Sequence, residues 1–312
     1  MRLTQQAMAA VVAGLAAVLV TTAPAEEPKK LQYPETKKGT VADEYHGTKV
    51  ADPYRWLEDD VRESKDVAAW VEAQNKVTNS FLESIPEREA IKARLTELWN
   101  YEKFSAPFKA GGRYFFFKND GLQNQNVLYV QDALDAEAKL LIDPNAWTKD
   151  GTLALSGLAV SEDAKRIAFG TAQSGSDWNT WKVFDVATGK DLPDELKWVK
   201  FSSTSWTKDG KGFYYSRFPE PKPGAAFQNL NVDQKLYYHA LGTPQSEDKR
   251  VYERPDNPKW TVGGGVTEDG KYLIVSIGDG TTSRRVRIAY QSLAEPNGKV
   301  VELIDNHENK FN

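Results

Sequence analysis

His46 opens the stretch HGTKVADPYRWLEDD, which carries Asp52, Glu58, Asp59 and Asp60 within fifteen residues. Histidine beside carboxylates is a common sequence form of general acid and base chemistry, and the chain has only two other histidines, His239 and His307. A structural reading competes with the chemical one. Pro53 fixes a turn, Tyr54 and Trp56 can anchor a strap of chain on a larger body, and acids from Glu58 to Asp60 are ordinary at a solvated surface.

Other chemistry-bearing residues lack the surroundings their chemistry needs. A hydrolytic serine on a strained strand-to-helix turn is written G-x-S-x-G, and no such string occurs; Ser174-Gly175-Ser176-Asp177 comes nearest, in a polar stretch between strand candidates. Gly265 to Lys271, GVTEDGK, matches seven positions of a phosphate-binding loop, but Tyr272 stands where the magnesium-coordinating Ser or Thr belongs. It reads as a hairpin turn. His307-Glu308 begins like a zinc motif, yet Phe311 replaces the second histidine, so no metal site is expected. His239, inside the strand-like QKLYYHAL, reads as a packed residue.

The elements that would position these residues follow from patterning. With 312 residues, 40% of them apolar and 11% aromatic, the chain can fill a sizeable core. Its formal charge of −4 forms no basic stripe, which argues against a nucleic-acid partner. Residues 1–25 stand apart: Arg2, an apolar run from Met8 to Val20, then Ala23-Pro24-Ala25 have the form of a secretory signal. Thirteen apolar residues fall short of the roughly 20 that span a bilayer. No cysteine is present to form a disulfide or carry a lipid. The expectation is a soluble exported protein, periplasmic or secreted, starting at Glu26 and with no membrane partner after signal removal.

From Ser64, apolar residues Val67, Trp70, Val71, Val77, Phe81 and Ile85 recur on one helical face, and the helix should stop before Pro86. Ser84 and Glu87 have the spacing of a capping box for a second helix, striped by Ile91, Leu95, Leu98 and Trp99. Beyond Tyr101 the pattern is strands. RYFFF, RIAF, GFYYS and KYLIVSI each follow a turn signal, at Gly111-Gly112, Asp163-Ala164, Asp209-Gly210 and Asp269-Gly270. Each unit continues to a second strand, in NVLYV, NTWKVFDV, QKLYYHAL and RVRIAY. Spacings of 52, 46 and 60 residues between turns are those of β-propeller blades. The 204 residues from Lys109 to Asn312 make about four.

With these parts assembled, the chain resembles prolyl oligopeptidase, the serine endopeptidase family that cuts short peptides after proline. The resemblance runs from about Tyr33 to Asp305 and rests on YP (Tyr33-Pro34), YHG (Tyr45 to Gly47), DPYRWLED, VEAQN, GLQNQ, VLYVQD, SGSDW, QKLYYH and LGTPQSED. It implies a mainly β chain: a partial seven-bladed-type propeller over 101–312, preceded by a short helical segment of an α/β-hydrolase domain over 26–100. His46 would then be structural. The triad and oxyanion donors would lie beyond Asn312, leaving no catalytic residue in the chain as given, which is expected to be inactive alone. Phe201, in VKFSSTSW, matches a family phenylalanine facing the outer substrate subsite. The residues alone leave it open whether Phe201 is instead a blade core residue. The resemblance further implies proline-containing peptides as partners, a monomer, and no metal or organic cofactor. A non-catalytic propeller scaffold of the cell envelope is the alternative; it explains the repeats and the signal but not the helical segment before them.

Overall fold

The computed structural model describes residues 30–227, 229–282, 285–295 and 298–310, so the signal sequence expected over 1–25 lies outside the described residues. The chain separates into two compact units, one ending at Ser84 and the other beginning at Ile85. This division falls between the two helices. Among the described residues no helix is long and apolar enough to cross a membrane.

The first unit holds a hairpin of β1 (Ala42–Tyr45) and β2 (Thr48–Ala51), a 3₁₀ turn at Arg55–Glu58 and helix α1 (Lys65–Glu83). Ser64 caps α1, its Oγ accepting from the Val67 amide at 3.4 Å. Two indoles tie down the strap that precedes the hairpin. Trp70 Nε1 donates to Thr36 Oγ1 at 2.9 Å, and Trp56 Nε1 to the Lys37 carbonyl at 2.8 Å.

The second unit opens with α2 (Arg88–Trp99), whose Ile91, Leu95, Leu98 and Trp99 are all exposed. The capping box expected here does not form. Ser84 continues the helical backbone of α1 and turns its hydroxyl back onto the Phe81 carbonyl, 2.7 Å away, while Glu87 caps α2 with no side-chain bond. A serine with helical φ and ψ cannot reach forward to the next helix, because only an extended N-cap aims its oxygen at the following amides.

Four antiparallel sheets follow in chain order. The first contains β3 (Lys103–Phe104), β4 (Phe108–Ala110), β5 (Arg113–Asn119), β6 (Val127–Gln131) and β7 (Lys139–Ile142). Both β3 and β4 pair with β5, and Pro107, which has no amide hydrogen to give a ladder, lies in the gap between them. The second contains β8 (Leu153–Val160), β9 (Arg166–Gln173), β10 (Asn179–Asp185) and β11 (Lys190–Val199). The third contains β12 (Ser205–Trp206), β13 (Gly212–Arg217), β14 (Lys235–Ala240) and β15 (Lys249–Tyr252). The fourth contains β16 (Thr261–Val266), β17 (Tyr272–Gly278), β18 (Val286–Ser292) and β19 (Val300–Ile304). Strands in the last three sheets neighbour one another in sequence order, as in propeller blades. The described residues therefore hold the four blades that the repeat spacing predicts.

Period-2 alternation explains why the apolar strands are continuous. Ile167 and Phe169 of β9 pack with Phe115 and Leu128 of the first blade, while Ala168 between them packs with Phe213 and Tyr215 of the third. Tyr214 points the other way, joining Val262, Leu273 and Val275 of the fourth blade. A central blade must bury both faces, so it has no polar face to alternate with.

The predicted turn signals share one geometry. Gly112, Ala164, Gly210 and Gly270 all have positive φ. In the last three blades a Ser or Thr hydroxyl meets the turn aspartate: Ser161 with Asp163 at 2.8 Å, Thr207 with Asp209 and Thr267 with Asp269 at 2.7 Å. Each aspartate also accepts from a lysine amide two residues on, at Lys165, Lys211 and Lys271. GVTEDGK is thus one of three equivalent β-turns, with its first residues inside β16.

Candidate peptide-binding face of the propeller

The stretch that opened the sequence reading has no catalytic geometry. His46 and Gly47 form the two-residue turn between β1 and β2, both with positive φ, and the imidazole is exposed. The acids around it serve arginines. Asp52 accepts from Arg55 Nε at 2.6 Å, Asp43 also pairs with Arg55, and Asp60 with Arg62. Arg55 accordingly holds the Asp52 carboxyl below its ordinary range. His307 is equally occupied: its Nε2 donates to the Ile277 carbonyl at 3.0 Å and its ring stands edge-on to Trp260.

His239 is fully buried. Nδ1 lies 2.7 Å from Asp248 Oδ1 and Nε2 lies 3.0 Å from Asp194 Oδ1. A neutral ring carries one N–H, so two carboxylate contacts require the imidazolium. Burial opposes that charge, but the two carboxylates outweigh it and raise the pKa to about 9. Asp194 comes from β11 of the second blade, where the register with β10 shifts between Lys182 and Phe184, next to Pro193. Its Oδ1 also accepts from the Gly242 amide at 2.6 Å. Asp248 takes the Tyr215 hydroxyl, and Gln245 bonds both the amide and the carbonyl of Lys197. The cluster is a polar clasp between the second and third blades, its three titrating side chains buried.

Antiparallel strands put the β9–β10, β11–β12 and β13–β14 connections at one end of the blades, and an aromatic corner forms there. Trp178 packs edge-to-face against Trp198 at 5.7 Å and Phe218 at 6.2 Å, and its Nε1 donates to the Ala226 carbonyl at 2.7 Å. Lys200 is only 8% exposed; its Nζ sits 3.9 Å from the Trp178 ring centroid and 3.3 Å from Asn231 Oδ1. Burial lowers the Lys200 pKa, against the pull of Asp177. Gln234, nearly fully buried, donates to the Lys200 carbonyl at 3.0 Å and accepts from the Val262 amide of the fourth blade at 2.9 Å.

Phe201 follows Lys200 with φ of 52° and is 52% exposed. It is not a blade core residue. The neighbours on either side are anchored, Lys200 by burial and Ser202 by accepting the Ser216 amide at 2.8 Å, so the strained backbone presents the phenyl ring outward from a fixed base. Trp198, Ser174 and Asp233 in the same corner also have positive φ, giving this end four of the six such non-glycine residues among the described residues. The family resemblance singled out Phe201, and nothing in the sequence indicated the support beneath it. SGSDW and the Trp198–Phe201 stretch were visible as strings, but nothing local shows that Trp178, 48 residues from Ala226, meets it.

The prolyl oligopeptidase N-terminal β-propeller domain family model matches residues 33–312. A prolyl endopeptidase of Elizabethkingia meningoseptica is 40% identical over 274 residues, which cover 88% of this chain and 38% of that protein. Prolyl oligopeptidase A of Amanita bisporigera is 37% identical over 271 residues, covering 77% and 35%. Prolyl oligopeptidase B of Galerina marginata, solved with a 25mer macrocyclization substrate, superposes with a TM-score of 0.77 at 30% identity, over 90% of this chain and 42% of that one. The chain thus spans roughly two-fifths of the length of these relatives. Together with four consecutive blades, these matches make this chain a member of the prolyl oligopeptidase family.

Proposed function

We propose that this chain is the N-terminal part of an exported serine endopeptidase that cleaves short peptides after proline, with the propeller limiting which substrates reach the catalytic cavity. The observation that carries this reading is the unbroken family match over residues 33–312 to a peptidase propeller, joined to relatives named prolyl endopeptidase. In this reading residues 1–25 are a signal peptide, 26–100 belong to the hydrolase domain and 101–312 to the propeller. The site of action is the periplasm or the exterior, and the enzyme is a monomer.

The proposed chemistry for the complete protein is acyl transfer: serine attacks the carbonyl of proline, histidine takes the serine proton and gives it to the departing amine, water then hydrolyses the acyl-enzyme by the same base, and backbone amides hold the oxyanion in both steps. Neither metal nor organic cofactor enters that scheme. Phe201 supplies an apolar wall for a substrate side chain or cap, since an exposed ring on an anchored loop gives contact area at small entropic cost. The test is a ladder of proline-containing substrates, from a short peptide to a folded protein, given to the complete protein with products mapped by mass. Cuts after proline that fade with increasing length support both parts of the reading. Equal cleavage of long and short substrates would refute the filter, and no cleavage at all would favour a peptide-binding scaffold.

A further inference from the structure

We propose that the pocket between the β9–β10 connection and the β13–β14 connection is a subsite for a basic residue of the peptide substrate; this rests on the function proposed above. The cavity measures about 460 Å³, within the usual range for ligand pockets. Its apolar walls include Trp178, Phe218, Pro219 and Leu230, and its polar lining includes the carboxylates of Glu220 and Asp233.

Two features select the occupant. Among the described residues neither carboxylate has an ion pair or side-chain hydrogen bond, so the lining carries two uncompensated negative charges. The Lys200 ammonium pairs with neither: it is committed to the Trp178 face and to Asn231 Oδ1. Lysyl and arginyl side chains combine a long apolar stem with a cationic head, which matches aromatic walls beside acids. A purely apolar residue would cover the walls and leave both acids unpaired, and an acidic one would be repelled.

The pocket is also held in shape. Trp178 is fixed by two edge-to-face aromatic contacts and its bond to the Ala226 carbonyl. Asp233, with φ of 62°, donates its amide to the Pro258 carbonyl at 2.7 Å, and the next residue is Gln234, the bridge between the third and fourth blades. A carboxylate on pinned backbone loses little freedom when a cation arrives.

The experiment uses the complete protein and two matched probes. Proline-free peptides Ac-Ala-Lys-Ala-NH₂ and Ac-Ala-norleucine-Ala-NH₂ report binding without cleavage, by calorimetry. Fluorogenic prolyl peptides carrying Lys, norleucine or Glu three to six positions before proline report kcat/KM. Lysine should be favoured over norleucine by roughly fivefold to tenfold in both assays, falling with added salt. Glu220→Gln with Asp233→Asn should abolish that preference while leaving cleavage of the norleucine peptide within about twofold; asparagine tolerates the left-handed backbone at 233, so the loop keeps its shape. An unchanged lysine preference in the double variant, or a preference for Glu, would overturn the assignment. Should no prolyl peptide be cleaved, the activity reading fails, and the proline-free pair still decides the pocket.

Discussion

Raising the pH should loosen the clasp at His239, and its size can be worked from the geometry. Both ring nitrogens face carboxylate oxygens, at 2.7 and 3.0 Å, in a site with no solvent exposure. The folded state therefore holds the proton more tightly than the unfolded chain, with a pKa near 9 against an ordinary 6.5. Each pH unit of that difference is worth about 1.4 kcal/mol, so the imidazolium contributes about 3 kcal/mol. The sign follows from the direction. A group whose pKa is raised on folding contributes in full below about pH 6.5, and that contribution is lost as pH climbs through about 9. Asp194 is shifted the opposite way, held low by His239 and the Gly242 amide against its burial, so its share is present above the ordinary carboxylate pKa and lost in acid. Stability from the clasp should peak between about pH 4 and 6.5.

The assay is urea unfolding followed by tryptophan fluorescence from pH 5 to 10, for the native sequence and for His239→Gln. Glutamine cannot carry the charge and leaves Asp194 and Asp248 buried without a cation, a loss of about 3 to 5 kcal/mol near pH 6. The two pH profiles should converge toward pH 10. Parallel profiles across that range would show that folding leaves the His239 pKa unshifted, and that the two carboxylates do not hold an imidazolium.

Three further outcomes follow from the packing. Gly212→Ala should cost more than about 3 kcal/mol, because an added Cβ would sit 2.1 Å from the His239 carbonyl oxygen on the paired strand, and backbone cannot yield there; thermal unfolding measures it. Phe201→Ala should leave stability within about 0.5 kcal/mol, since the ring is half exposed, while raising KM for a short prolyl peptide several-fold with kcat retained. Thr207→Val should cost about 1 to 2 kcal/mol, read from the same melts, because it removes the hydroxyl shared between Asp209 Oδ1 and the Gly212 carbonyl in the repeated turn.

The blades were legible because their signals are local. In the last three units a turn aspartate, a residue able to take positive φ and two strands follow one another within roughly 20 to 35 residues, and Ala164 was found in a glycine's place because its neighbours repeat the pattern. The outer and innermost strands were less legible. β12 has two residues and β3 two more, too short for alternation to register. The Ser84 capping box misled because spacing says nothing of backbone conformation, and Ser84 was already the last turn of another helix. At the candidate site Phe201 came from a family resemblance, whereas Lys200, Trp178 and Asp233 converge only through folding. The His239 clasp joins residues 45 apart in sequence, and a lone histidine in a strand gives no sign that two carboxylates will enclose it.

The most direct test is the ratio of kcat/KM for two chromogenic peptides that differ only in proline or alanine before the leaving group, measured on the complete protein before and after treatment with a serine-directed phosphonate. Proline should be preferred by at least about a hundredfold, the scale at which a shaped pocket separates side chains, and turnover should be lost after treatment. Equal turnover of the two peptides, or proline cleavage that survives the phosphonate, would contradict the proposed function.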